Sequence, residues 1–137
     1  VESAHLAGLP GIEIDQDLLE WDYGALEGLT TQQIRQDRAD PNWAIWDHRV
    51  PPGATPGEQP ADLAGRCERV LARARPIVQQ DQDVVLVAHA HVLRILTATW
   101  LGLPPTAGRL FHLDPASVSS LGFEHQQPAI MSWNRRP

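Results

Sequence analysis

Two short stretches hold residues whose types and order suit acid–base and anion-binding chemistry. In Val84–Arg94 an unbroken apolar run ends at His89, immediately before the spacing turns helical. A strand-to-helix junction of that kind sets a titratable imidazole beside free backbone N–H groups, so His89 with the amides of Ala90 and His91 could grip an anion. The alternative for His89 is an ordinary hydrogen bond to a neighbouring loop, and position alone leaves both readings open. His91 forms a His-x-His pair with His89, which raises a metal reading. Zinc takes three or four ligands, however, and no further His, Asp or Glu cluster stands at a suitable spacing, while Cys67 is alone. No metal and no cofactor is expected, and His91 is read as the first residue of the helix with its side chain at a pocket rim.

The second stretch is Leu19–Thr30, with carboxylates at Glu20, Asp22 and Glu27. Glu20, between Leu19 and Trp21, is the one that could be shielded from water and so carry a proton to donate. The competing reading is a set of solvated loop charges, since carboxylates are mostly exposed. Trp21 and Tyr23 would supply apolar walls to a substrate pocket.

These residues need elements to hold them. Ser3–Gly11 reads as the last turns of a helix closed by Gly8 and Pro10, and Ile12 and Ile14 alternate with acidic residues as a short strand does. Thr30 and Gln33 form a capping box at the start of a helix. Residues 40–60 carry Pro41, Pro51, Pro52, Pro56 and Pro60 and are irregular; their Trp43 and Trp46 either wall a pocket or pack the loop onto the core. Leu63, Cys67, Val70, Leu71, Ala74 and Val78 trace one long helix over 61–80, with a kink or new start at Pro76. Val84–Ala88 is predicted as a central strand covered on both faces. A helix over His91–Leu101 closes at Gly102, and strands Ser117–Glu124 and Pro128–Trp133 make an antiparallel hairpin at a sheet edge. The order gives an α/β fold: a three-layer α/β/α sandwich with a mostly parallel central sheet, one domain over 1–137.

Composition narrows the function. A formal charge of −6 argues against nucleic acid or an anionic membrane as partner, because both demand a basic face. All 11 basic residues are arginine, so Schiff-base and P-loop lysine chemistry are excluded. A lone cysteine and no apolar run of spanning length point to the cytoplasm.

Together the segments resemble the histidine phosphatase superfamily, the phosphoglycerate mutase-like fold, and within it the bacterial acid-phosphatase-like branch. The resemblance is carried by Glu20-Trp21-Asp22-Tyr23-Gly24 with Glu27-Gly28, by Pro56-Gly57-Glu58 leading to Arg66, and by Val84–Arg94 around His89. It implies hydrolysis of a small phosphomonoester through a phosphohistidine, with His89 bonding the phosphoryl oxygens and Glu20 protonating the leaving oxygen. It also implies an attacking histidine in an Arg-His-Gly sequence, and no Arg-His-Gly occurs in this chain. His-Gly of the family is His89-Ala90 here, which tightens the backbone's approach to phosphate, and Gly-Glu-Ser is Gly57-Glu58-Gln59.

The chain starts at Val1 and its one methionine is Met131, so an N-terminally truncated domain, inactive by itself, is expected. The lost piece would supply a strand beside Val84–Ala88, and the bare edge would favour a homo-oligomer. Two rivals remain. A phosphoglycerate mutase-type phosphotransferase would follow the acid with arginine and use a lysine, whereas Trp21 follows Glu20 and lysine is absent. The other is a noncatalytic phosphate-binding or interaction remnant.

Overall fold

The computed structural model describes residues 1–136. A short helix α1, Glu2–Leu6, is followed by an extended stretch and a single 3-10 turn at Gln16–Leu18. The predicted strand around Ile12 and Ile14 does not form: these residues have no ladder partner and Ile14 lies in solvent. Helix α2, Thr31–Asp37, begins with the expected capping box, in which Gln33 N–H donates to Thr30 Oγ1 and Thr30 N–H donates to Gln33 Oε1.

Helix α3, Pro60–Val78, opens with Pro60 in its first turn, where a missing N–H costs nothing, and runs two residues past Pro76 without a new start. Near the end of a helix that proline removes one backbone bond, and packing outweighs it. Helix α4, Ala90–Trp100, lies against α3. Between them sits the core of Leu63, Cys67, Val70, Leu71, Val92, Ile95, Leu96 and Trp100, extended by Trp21 and Val50 from the loops. Burial pushes the Cys67 thiol up to about 12, so it stays protonated and behaves as a small apolar group. Strands β1, Val118–Glu124, and β2, Gln127–Arg135, form the expected antiparallel hairpin. Trp100 ties it to α4, its indole N–H pointing at the carbonyls of Gly122 and Ala129 and its ring 4.9 Å from that of Phe123. Among the described residues no helix is long and apolar enough to cross a membrane.

The predicted central sheet is not formed among the described residues. The hairpin is the one sheet among the described residues, and no strand is formed over Val84–Ala88. That segment is flat against the helices on one side: Leu86 and Ala88 pack on the core, while Val85 and Val87 are 63% and 43% exposed. The alternation is that of a strand, but a ladder needs a second chain segment to accept its N–H groups, and these residues have no such neighbour. Coverage on both faces, inferred from the unbroken apolar run, does not occur.

Candidate active site

The loop before the first tight turn and the start of α4 meet. The Glu20 carboxylate accepts from the backbone N–H groups of His91 (3.2 Å) and Val92 (2.9 Å), and from its own neighbour Trp21 (2.9 Å). A helix start leaves its first amides without partners and carries partial positive charge, so a carboxylate there is held by both hydrogen bonds and dipole. His89 is the N-cap residue of the same helix, extended at φ −88° and ψ 167°; its side chain makes no capping bond and is exposed. Glu20 and His89 thus come to one end of one helix. One detail differs from expectation: the His91 amide, offered above to an external anion, is engaged by Glu20.

Helix α4 starts at Ala90, so His91 is its second residue, and its ring does not sit at a rim. It is enclosed by Trp21, Tyr23 and Trp46, with centroids 5.7, 5.8 and 5.2 Å away in edge-on geometry. Its Nδ1 pairs with the Tyr23 hydroxyl at 2.6 Å. Burial holds His91 below the usual imidazole range, with the Glu20 charge acting in the opposite sense and Arg94 adding to the lowering. Burial likewise raises the Tyr23 phenol, helped by the charges of Glu20 and Glu27. A neutral imidazole and a protonated phenol are therefore stable at neutral pH. Trp21 is 2% exposed and its indole N–H donates to the Glu58 carbonyl at 2.7 Å, so it backs Tyr23 and His91 from the core.

The three loop carboxylates go separate ways. Asp22 accepts from Thr55 Oγ1, from Gly24 N–H (2.9 Å) and from Gly57 N–H (3.0 Å), and these bonds, Thr55 first, hold it below the usual carboxylate range. Glu27 stays exposed. Glycine is required where the two loops cross: a Cβ on Gly24, at φ +54°, would lie 2.2 Å from the Pro51 carbonyl oxygen. Trp43 is buried in a satellite cluster with Leu26 and Ile34, which decides for packing over pocket wall; Trp46 half-packs on the main core under the Arg94 guanidinium, 4.8 Å away. Arg94 was missed as a neighbour of the site, although it stands three residues after His91 on one helix face. The bonds of Asp22 to Thr55 and Gly57 were also missed, because those partners lie more than thirty residues away in a proline-rich loop.

The sequence pattern of the Histidine phosphatase superfamily (branch 1) matches residues 2–136. The chain belongs to that superfamily. Within it, the chain is 37% identical to an acid phosphatase of Mycobacterium tuberculosis over its whole length, spanning 65% of that protein. It is 32% identical over 105 residues to a sedoheptulose 1,7-bisphosphatase of Saccharomyces cerevisiae, covering 67% of this chain and 37% of that one. A solved Mycobacterium tuberculosis open reading frame superposes with a TM-score of 0.86 at 36% identity, covering 98% of this chain and 66% of the other. A mycobacterial glucosyl-3-phosphoglycerate phosphatase solved with VO3 superposes at 0.73 with 28% identity, covering 96% and 67%. These relatives share the α/β, phosphoglycerate mutase-like fold of the superfamily, and the chain spans less than two thirds of the length of the curated relatives it matches.

Proposed function

We propose that this chain carries the phosphate-stabilising and proton-donating side of a phosphomonoesterase site, whose attacking histidine lies outside these 137 residues. The observation that carries the reading is the pair of hydrogen bonds from the start of α4 to Glu20, which brings the carboxyl to the helix that His89 caps. A phosphoryl group at that N-terminus would meet both side chains. In the reaction, the attacking imidazole forms an N–P bond as the P–O bond to the leaving group breaks. Glu20 gives its proton to the departing oxygen, and His89 donates a hydrogen bond to the phosphoryl oxygens as charge builds. Water then attacks phosphorus as the N–P bond breaks and its electron pair returns to the imidazole, gives a proton to Glu20 and leaves as part of the released phosphate.

Ala90, at the first turn, contributes backbone close to the phosphate, while Tyr23 and His91, backed from the core by Trp21, shape the wall beside the leaving group. Residues outside the chain would also complete a central sheet on Val84–Ala88 and restore the three-layer arrangement. Hydrolysis is favoured over mutase-type transfer because Trp21 follows Glu20 and the chain has no lysine. A small phosphorylated substrate, no cofactor and a cytoplasmic setting belong to the same reading.

The test uses the gene product extended upstream, assayed on p-nitrophenyl phosphate. The 137-residue chain alone should show no turnover, and His89→Ala in the extended protein should lower kcat by about 10²–10³-fold, the usual loss for one donor to a developing charge. An extended protein lacking activity, or a His89→Ala variant within about threefold of the parent, overturns the proposal.

A further inference from the structure

We infer that Arg66 is a positioning residue for Glu20, an inference that rests on the role just proposed for that carboxyl. The loop from Asp17 to Asp22 lacks a regular element past its single 3-10 turn, yet it must hold Glu20 on the start of α4. Arg66 reaches it from the second turn of α3, a rigid support. Its guanidinium binds both oxygens of Glu58 at 2.8 Å through Nε and Nη2, and with Nη1 it donates to the carbonyls of Asp17 (2.7 Å) and Leu19 (2.9 Å). Glu58 passes the constraint on: its Oε2 accepts from Asp22 N–H at 3.0 Å, its amide donates to the Asp22 carbonyl at 2.8 Å, and its carbonyl takes the Trp21 indole. The backbone is therefore gripped on both sides of Glu20, before it by Arg66 and after it by Glu58.

Both members are well shielded, with side chains 13% and 23% exposed, so the pair is more than a rim ion pair. Only a planar fork can hold a carboxylate bidentately with one edge and still send a third nitrogen the other way to two carbonyls; an ammonium cannot. Neither residue touches the start of α4, and their effect on chemistry passes entirely through Glu20.

The decisive measurement compares leaving groups in the extended protein. p-Nitrophenolate departs without a proton, whereas the alkoxide of glycerol 2-phosphate needs one, so a defect in the proton donor falls on the second substrate. Glu20→Gln should lower kcat/KM for glycerol 2-phosphate by about 10²-fold more than for p-nitrophenyl phosphate. Arg66→Lys and Glu58→Gln should show the same selective loss, about tenfold or more, as expected for a displaced catalytic group. The ratio is taken within one preparation, so incomplete folding cancels, and Glu58→Gln carries the test if Arg66→Lys does not fold. Amide exchange at His91 and Val92, whose N–H groups Glu20 accepts, should quicken in both variants while Ile95 and Leu96 stay protected.

Selective loss in Glu20→Gln with equal loss on both substrates in Arg66→Lys and Glu58→Gln would reduce the clamp to a structural contact. Absence of selective loss in Glu20→Gln would instead remove the proton-donor role; amide exchange then decides the clamp, quickening at His91 and Val92 keeping it and unchanged rates overturning it.

Discussion

His91 and Asp22 are both held away from their ordinary ionisation, and they do so in separate pH ranges. Burial depresses His91 below 6.5, so the native chain binds fewer protons than the unfolded one as pH falls through that region. Its contribution to stability is full above 6.5 and is lost as pH drops toward the depressed native value. Asp22, depressed below 3.8 chiefly by the Thr55 hydroxyl, contributes fully above that value and loses its contribution only as pH falls below it. Denaturant midpoints measured against pH should therefore decline in two steps. His91→Asn should flatten the first step, whose slope cannot exceed about 1.4 kcal/mol per pH unit for one proton. Asp22→Asn should make the second shallower without abolishing it, since Asp17, held low by Arg69, and Asp114, held low by Asn134, lose their contributions in the same range. An unchanged profile in His91→Asn would mean that the ring is solvated when folded.

The elements are joined by a few side chains rather than by a common sheet. Trp100 is the main link between α4 and the hairpin: 4% exposed, hydrogen-bonded to both strands, and under the Arg75 guanidinium at 4.8 Å. Trp100→Ala should cost about 3–5 kcal/mol, the usual range for removing a buried aromatic. Hydrogen exchange should show β1 and β2 opening before α3 and α4, since the hairpin meets the helical core chiefly through Trp100, Leu121 and Phe123. Equal opening of all four elements would contradict this view of the packing. The helices and hairpin were legible in the sequence because each is specified by its own residues: spacing from Leu63 to Val78, the Thr30 cap, and the turn between two apolar runs. The segment Val84–Ala88 was legible as an extended apolar run, but its pairing was not, since a strand's partners lie elsewhere in sequence.

At the scale of the molecule, the backbone N–H and C=O groups of Val84–Ala88 have no partner among the described residues and lie beside the exposed Val85 and Val87. Such an edge is a template for another strand. The 137-residue chain is expected to self-associate with rising concentration in analytical ultracentrifugation, and Val85→Arg with Val87→Arg should suppress that association by placing charge on the edge. A monodisperse monomer that unfolds cooperatively would remove this expectation.

The sequence by itself determined the family, the helices and the hairpin, because residue type, spacing and capping are local and leave a linear trace, and it singled out His89 and Glu20 as the candidates proposed above. It also carried the Pro56-Gly57-Glu58 and Arg66 motifs without saying what they do. Only the tertiary structure decided that Glu20 rests on the start of α4, that His91 turns inward to Tyr23, and that Arg66 and Glu58 grip the loop on either side of the acid. Those contacts join residues up to 72 positions apart. Hydrogen bonds of that span depend on how the packed core of α3 and α4 orients the loops, and no periodicity along the chain encodes them.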